Sequence, residues 1–147
     1  MGYTHYWSIK KRDSIPVQAQ EVLREILGQA YQQGTIQLEF NVAGPPCIND
    51  RLVMFNGVGD AGHETFRFDL DDDYQGLNGD HFAFCKTNMK PYDEYVMKSL
   101  LVLRHYLPSG FTLSSDGGFD EEWQAARDWC EAYFGVGTYT RHELMVG

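Results

Sequence analysis

One stretch gathers several groups able to do chemistry. Cys85-Lys86-Thr87-Asn88-Met89-Lys90-Pro91 joins a thiol, two amines, a hydroxyl and an amide just before a proline suited to the first turn of a helix. Free N–H groups at a helix start attract anions and nearby lysines add to the field, so Lys86, Thr87, Asn88 and Lys90 are candidate ligands for a phosphate group. The plainer reading is that Thr87 or Asn88 caps the helix while the lysines offset an acidic chain. Cys85 is a candidate nucleophile because a positive setting lowers a thiol pKa, although no histidine is near it in sequence and strand cysteines are commonly buried.

Gly57-Val58-Gly59-Asp60-Ala61-Gly62 has the spacing of a phosphate-binding glycine loop, which makes Gly57 and Gly59 candidate anion contacts. The dinucleotide version needs a helix next, and here strand-like residues follow, so a tight turn between strands is the simpler expectation. His63 and Glu64 after it, with His5 elsewhere, could serve acid–base chemistry, although adjacent strand residues face opposite ways and cannot readily share a ligand. Asp69, Asp71, Asp73, Gln75, Leu77 and Asp80 stand at calcium-loop spacing, but Tyr74 replaces the turn glycine and Asp80 the bidentate glutamate, so a solvated acidic loop is expected and no metal site. Ser114-Ser115-Asp116-Gly117-Gly118 reads as a capped turn that could also bind an anion.

The elements that must position these groups follow from periodicity. Tyr3, His5, Trp7 and Ile9 alternate as one face of a strand, and Val22/Leu23, Ile26/Leu27 and Ala30/Tyr31 recur at helical spacing between Ser14-Ile15-Pro16 and Gly34. Alternation predicts strands at 36–42, 52–55, 64–70, 82–85 and 111–114. A second helix over 91–107 is apolar nearly all round and should lie centrally. A third begins at Asp120-Glu121-Glu122 and carries a stripe of Trp123, Ala126, Cys130, Tyr133 and Phe134. Strands in succession favour an α+β fold, with an antiparallel or mixed sheet of about five or six strands and three helices mainly on one face. The chain reads as a single domain, 1–147, with 136–147 an edge strand or a mobile tail.

The totals restrict what such a domain does. Twelve Lys and Arg against 21 Asp and Glu give a net charge of -9, which repels nucleic-acid phosphate unless a local basic patch overrides it and disfavours nonspecific DNA or RNA binding. The same charge suits a basic protein partner, including one whose basic surface normally holds nucleic acid. Three cysteines without a C-x-x-C pair fit neither a disulfide framework nor a zinc site and point to a reducing compartment. The opening lacks a signal-peptide run and no 18-residue apolar stretch occurs, so a cytoplasmic protein without a membrane span is expected.

Taken together, Met1-Gly2-Tyr3-Thr4-His5-Tyr6-Trp7, Phe55-Asn56-Gly57-Val58-Gly59-Asp60 with Gly62-His63-Glu64-Thr65-Phe66, Phe84-Cys85-Lys86-Thr87 with Lys90-Pro91-Tyr92-Asp93, and Ser114-Ser115-Asp116-Gly117 resemble a family of proteins found in bacteriophages and their bacterial hosts. The resemblance covers nearly the whole chain and brings no assigned activity, cofactor or catalytic residue. It implies a context: a phage or prophage accessory protein in the host cytoplasm, such as a counter-defence factor that blocks a host protein by contact. Asp71, Asp72 and Asp73 and the exposed aromatics are the partner-binding candidates for that role. The alternatives are a module or enzyme acting on a phosphorylated ligand or nucleotide through Lys86–Lys90 and the glycine loop, and a structural virion component. No catalytic set is complete in the sequence, so binding without a cofactor is the leading expectation.

Overall fold

The structure, a computed structural model, describes residues 3–10, 14–71 and 80–135. The expected strand or tail at 136–147, most of the calcium-like loop and the candidates Asp72 and Asp73 lie outside the described residues. In chain order the elements are β1 (Thr4–Ile9), α1 (Val17–Gln32), β2 (Ile36–Gln37), β3 (Cys47–Ile48), β4 (Leu52–Gly57), β5 (Phe66–Asp69), β6 (His81–Lys86), α2 (Asp93–Tyr106), β7 (Phe111–Ser115) and α3 (Gln124–Phe134). The class is α+β; among the described residues there are three helices, and seven strands that pair antiparallel form two sheets.

β1 is central in the first sheet, order β6-β1-β7. Its alternation is clear: Tyr3, His5, Trp7 and Ile9 are buried, while Tyr6 and Ser8 are half-buried on the opposite face. His5 meets Asp93 of α2 and the ring of Trp123 before α3, so the helices cover that inner face. The outer face keeps Tyr6, Phe82, Phe84 and Thr112, and Phe84 is 55% exposed.

β4 organises the second sheet, with β5 and β3 on its two edges at Val53 and Met54 and β2 pairing its end at Asn56 and Gly57. Aromatic contacts join the sheets. Trp7 packs on Phe66 with centroids 5.3 Å apart, and Phe68 stacks on Phe111 at 6.0 Å.

α2 packs between α1 and α3. Its residues Val96, Met97, Ser99, Leu100, Leu101, Val102 and Leu103 are all buried, as the all-round apolar pattern predicts. α1 ends before Gly34 at φ 79°, and α3 ends at Gly135 at φ 67°, both left-handed positions that suit glycine.

Three expectations are corrected. The strand expected over 36–42 shortens to Ile36–Gln37, because Glu39 and Val42 exchange backbone hydrogen bonds across a two-residue turn in which Asn41 is left-handed at φ 57°. Phe40 and Val42 consequently stay exposed. Ser14 does not cap α1, whose N-cap is Pro16 without a side-chain hydrogen bond. α3 starts at Gln124, since Asp120-Glu121-Glu122 form a turn before it.

Candidate functional site

The chemically capable segments, far apart in sequence, meet at the end of the molecule where β1 begins and β6 and β7 finish. Register places His5 between Cys85 on β6 and Ser115 on β7. His5 is fully enclosed, with Tyr3 and Trp123 each presenting an edge-on ring at 5.1 Å. Its Nε2 lies 2.6 Å from Asp93 Oδ1 and its Nδ1 2.7 Å from Ser115 Oγ.

The directions of these bonds follow from the partners. Thr87 Oγ1 donates to the same Asp93 Oδ1 at 2.6 Å, so two donors converge on one carboxylate oxygen and Nε2 carries a hydrogen. For a neutral ring Nδ1 is then an acceptor for the Ser115 hydroxyl, and the buried Gly117 donates its N–H to Ser115 Oγ at 2.9 Å. The result is a chain of hydrogen bonds, Ser115 to His5 to Asp93, with Thr87 as a second support. His5 and Thr87 stand out in the sequence separately, whereas Asp93 enters only as the end of the Lys90-Pro91-Tyr92-Asp93 segment and Ser115 only within a capped turn that could also bind an anion. Three connections must fold together before they meet, so no local spacing could have found the set.

Tyr3 completes the inner layer. It is 8% exposed, it faces Ser115, and its hydroxyl has no hydrogen-bond partner of good geometry. Burial, with Asp93 and Glu122 adding, holds its phenol well above the ordinary range, so it stays protonated. A Cβ at position 117 would stand 2.2 Å from Tyr3 Oη, which makes Gly117 a requirement of this close approach.

The outer layer is the turn between β6 and α2. Thr87 and Asn88 both donate backbone N–H groups to Tyr3 O, and Lys90 N–H donates to Thr87 O. Asn88 and Met89 are consecutive left-handed residues, at φ 53° and 58°, and Met89 is 62% exposed. Lys86 and Lys90 flank this pair and are half-buried.

The anion cradle expected here is not assembled. The amides of Thr87, Asn88 and Lys90 are spent within the chain, the Thr87 hydroxyl serves Asp93, and Asp93 and Glu94 put carboxylates at the start of α2. The side chains of Lys86, Asn88 and Lys90 remain from the proposed ligand set.

The glycine loop is a structural turn. Asn56, fully buried, accepts N–H groups from Gly57 and His63 and donates to His63 O and Thr65 Oγ1. The amides of Ala61 and Gly62 close a single 3-10 turn. A Cβ at Gly57 would lie 2.3 Å from Ala61 O, so that glycine is needed for packing; Gly59 is left-handed at φ 56°. The Gly57 N–H is spent on Asn56 Oδ1.

His63 is exposed, and Glu64 bonds back into the chain, accepting Lys86 N–H at 2.7 Å. Cys85 is buried, its thiol hydrogen-bonded to Glu64 O and pushed up to about 12 by burial, so it is a protonated core residue at neutral pH and not a ready nucleophile. Asp71 is paired with Arg51, whose guanidinium holds its carboxyl below the usual range. Among the described residues no group of His, Cys, Asp and Glu could hold a metal ion, and no helix is long and apolar enough to cross a membrane. A cleft of about 350 Å³ between α1 and Pro45-Pro46 is lined by none of these candidates.

Comparison with protein-family models, curated proteins and solved structures finds no match to this chain.

Proposed function

We propose that the protein acts by binding, with the turn between β6 and α2 as part of its contact surface. The observation that carries this reading is the exposed Met89 beside Asn88, both left-handed. A left-handed residue other than glycine costs about 1–2 kcal/mol, and such strain persists only where the surroundings over-determine it. Here the bonds to Tyr3 O and Thr87 O, and the Thr87–Asp93 bond beneath, hold the turn. The backbone that presents this exposed apolar side chain is already ordered, so it loses little further freedom when a partner covers the turn.

The partner we propose is a basic host protein, for which a chain of net charge -9 is electrostatically suited. The segments that resemble a phage and host family are the ones that build this end of the molecule, which supports an accessory role such as blocking a host factor that otherwise holds nucleic acid. The test is recovery of a host protein on the immobilised chain, followed by kinetics. Met89→Ser should accelerate dissociation, and neutralising Asp71, Asp72 and Asp73 to Asn should slow association and flatten its salt dependence. A captured protein whose kinetics ignore salt, Met89→Ser and the Asn changes alike would refute the reading.

A second reading, a module or enzyme for a phosphorylated ligand, is favoured by one observation: Lys86 and Lys90 flank the same strained turn. Phosphate or a nucleotide should then raise the melting temperature by mass action, and Lys86→Ala should abolish the rise. No rise with inorganic phosphate or any nucleotide tried removes this reading without touching the first.

A further inference from the structure

The relay beneath the turn supports a chemistry that contact binding does not use, and it rests on other atoms than Met89. We infer that Ser115 is a nucleophile for acyl transfer, with His5 as its base, Asp93 orienting the imidazole and Tyr3 donating to the oxyanion.

The geometry has each part in reach. Ser115 Oγ is 2.7 Å from His5 Nδ1, and His5 Nε2 is 2.6 Å from Asp93 Oδ1, distances at which a base takes a proton and a carboxylate fixes a tautomer. Ser115 is half-buried beside the exposed Asp116, whereas His5 is sealed within. The ring is turned relative to the commoner serine–histidine pairing, with Nδ1 toward serine; an imidazole passes a proton from either nitrogen.

Tyr3 distinguishes a working site from a structural tie. A buried hydroxyl without a partner costs about 1–3 kcal/mol, and a network that only fastened the chain ends would leave that cost unexplained. An oxyanion beside Ser115 would accept the missing bond.

In the step proposed, Ser115 Oγ attacks the carbonyl carbon of an ester and its proton passes to His5 Nδ1. The carbonyl π electrons move to oxygen, which is held by the Tyr3 O–H. When the carbonyl re-forms, the C–O bond to the alcohol breaks and the alcohol takes the proton from Nδ1. Water then attacks the acyl-serine, giving one proton to Nδ1, and that proton returns to Ser115 Oγ as the acid departs. Asp116 and Glu122 make the surroundings of Tyr3 negative, which disfavours phosphate esters and suits a neutral or cationic carboxylic ester.

The full chain should be treated with a neutral fluorophosphonate, which forms a Ser–O–P bond and releases fluoride, and assayed separately with p-nitrophenyl acetate. One adduct per chain is expected, mapped to Ser115 by peptide mass spectrometry and lost in Ser115→Ala. Asp93→Asn should slow labelling about 10²-fold. Tyr3→Phe removes only an unpartnered oxygen, so it should melt no lower than the parent, while its kcat on the ester falls about 10²-fold with KM nearly unchanged. No adduct at Ser115, or Tyr3→Phe with undiminished hydrolysis, would overturn the proposal, and the second variant decides the matter even if Asp93→Asn fails to fold.

Discussion

Met89→Gly should make the protein more stable, the opposite of what glycine does at an ordinary exposed position. Met89 is left-handed at φ 58° and 62% exposed, so the substitution relieves strain and removes little packing. Relief is about 1–2 kcal/mol. The extra freedom of a glycine in the unfolded chain takes back about 0.4–1 kcal/mol. The net is a gain of roughly 0.5–1 kcal/mol, or a few degrees in Tm for a domain of this length. Urea unfolding followed by fluorescence of the buried Trp7 and Trp123 reads it. Gln29→Gly, exposed within α1, is the control and should lose about 1 kcal/mol. Asn88→Gly should gain less, because asparagine tolerates this conformation better. If Met89→Gly instead loses as much as Gln29→Gly, the turn stores no strain and the argument for a pre-ordered contact fails.

The core and the thiols give further tests. Leu100→Ala and Leu103→Ala, both at fully buried positions of α2, should each cost about 2–5 kcal/mol in the same assay, and losses below about 0.5 kcal/mol at both would dismiss the central placement of that helix. Gly57→Ala should destabilise severely because its Cβ meets Ala61 O, whereas Gly28→Ala, with open space around it in a helix, should gain about 1 kcal/mol. Cys85 and Cys130 are both pushed up to about 12 by burial, so the folded state keeps protons that the unfolded state releases from about pH 9. Stability should therefore fall between about pH 9 and 12, by about 1.4 kcal/mol per pH unit for each thiol, and a flat profile there would contradict their burial. In native protein a thiol reagent should reach Cys47 first, with Cys85 and Cys130 reacting only on unfolding.

Periodicity alone determined much of this architecture. The alternation of Tyr3, His5, Trp7 and Ile9 is enough to assign β1 and its buried face, and the apolar residues Val96, Met97 and Leu100 to Leu103, interrupted by Lys98 and Ser99, are enough to make α2 the central helix, because each pattern reports how a single element meets the core. The glycine loop was also legible as a turn from the strand-like residues that follow it. Where a turn competes with alternation, local pattern is silent: Ile36 to Val42 has a strand's period, yet Asn41 adopts a left-handed turn and Phe40 is left in water. The site depended most on tertiary structure. Asp93, His5 and Ser115 lie 88 and 110 positions apart in their pairings, and only antiparallel register on both sides of β1, with α2 delivered behind it, puts three side chains within hydrogen-bond distance. The same packing withdrew Cys85, Thr87 and the amides near Lys86 from solvent, because a backbone or thiol group that finds a partner inside the fold is no longer offered to a ligand.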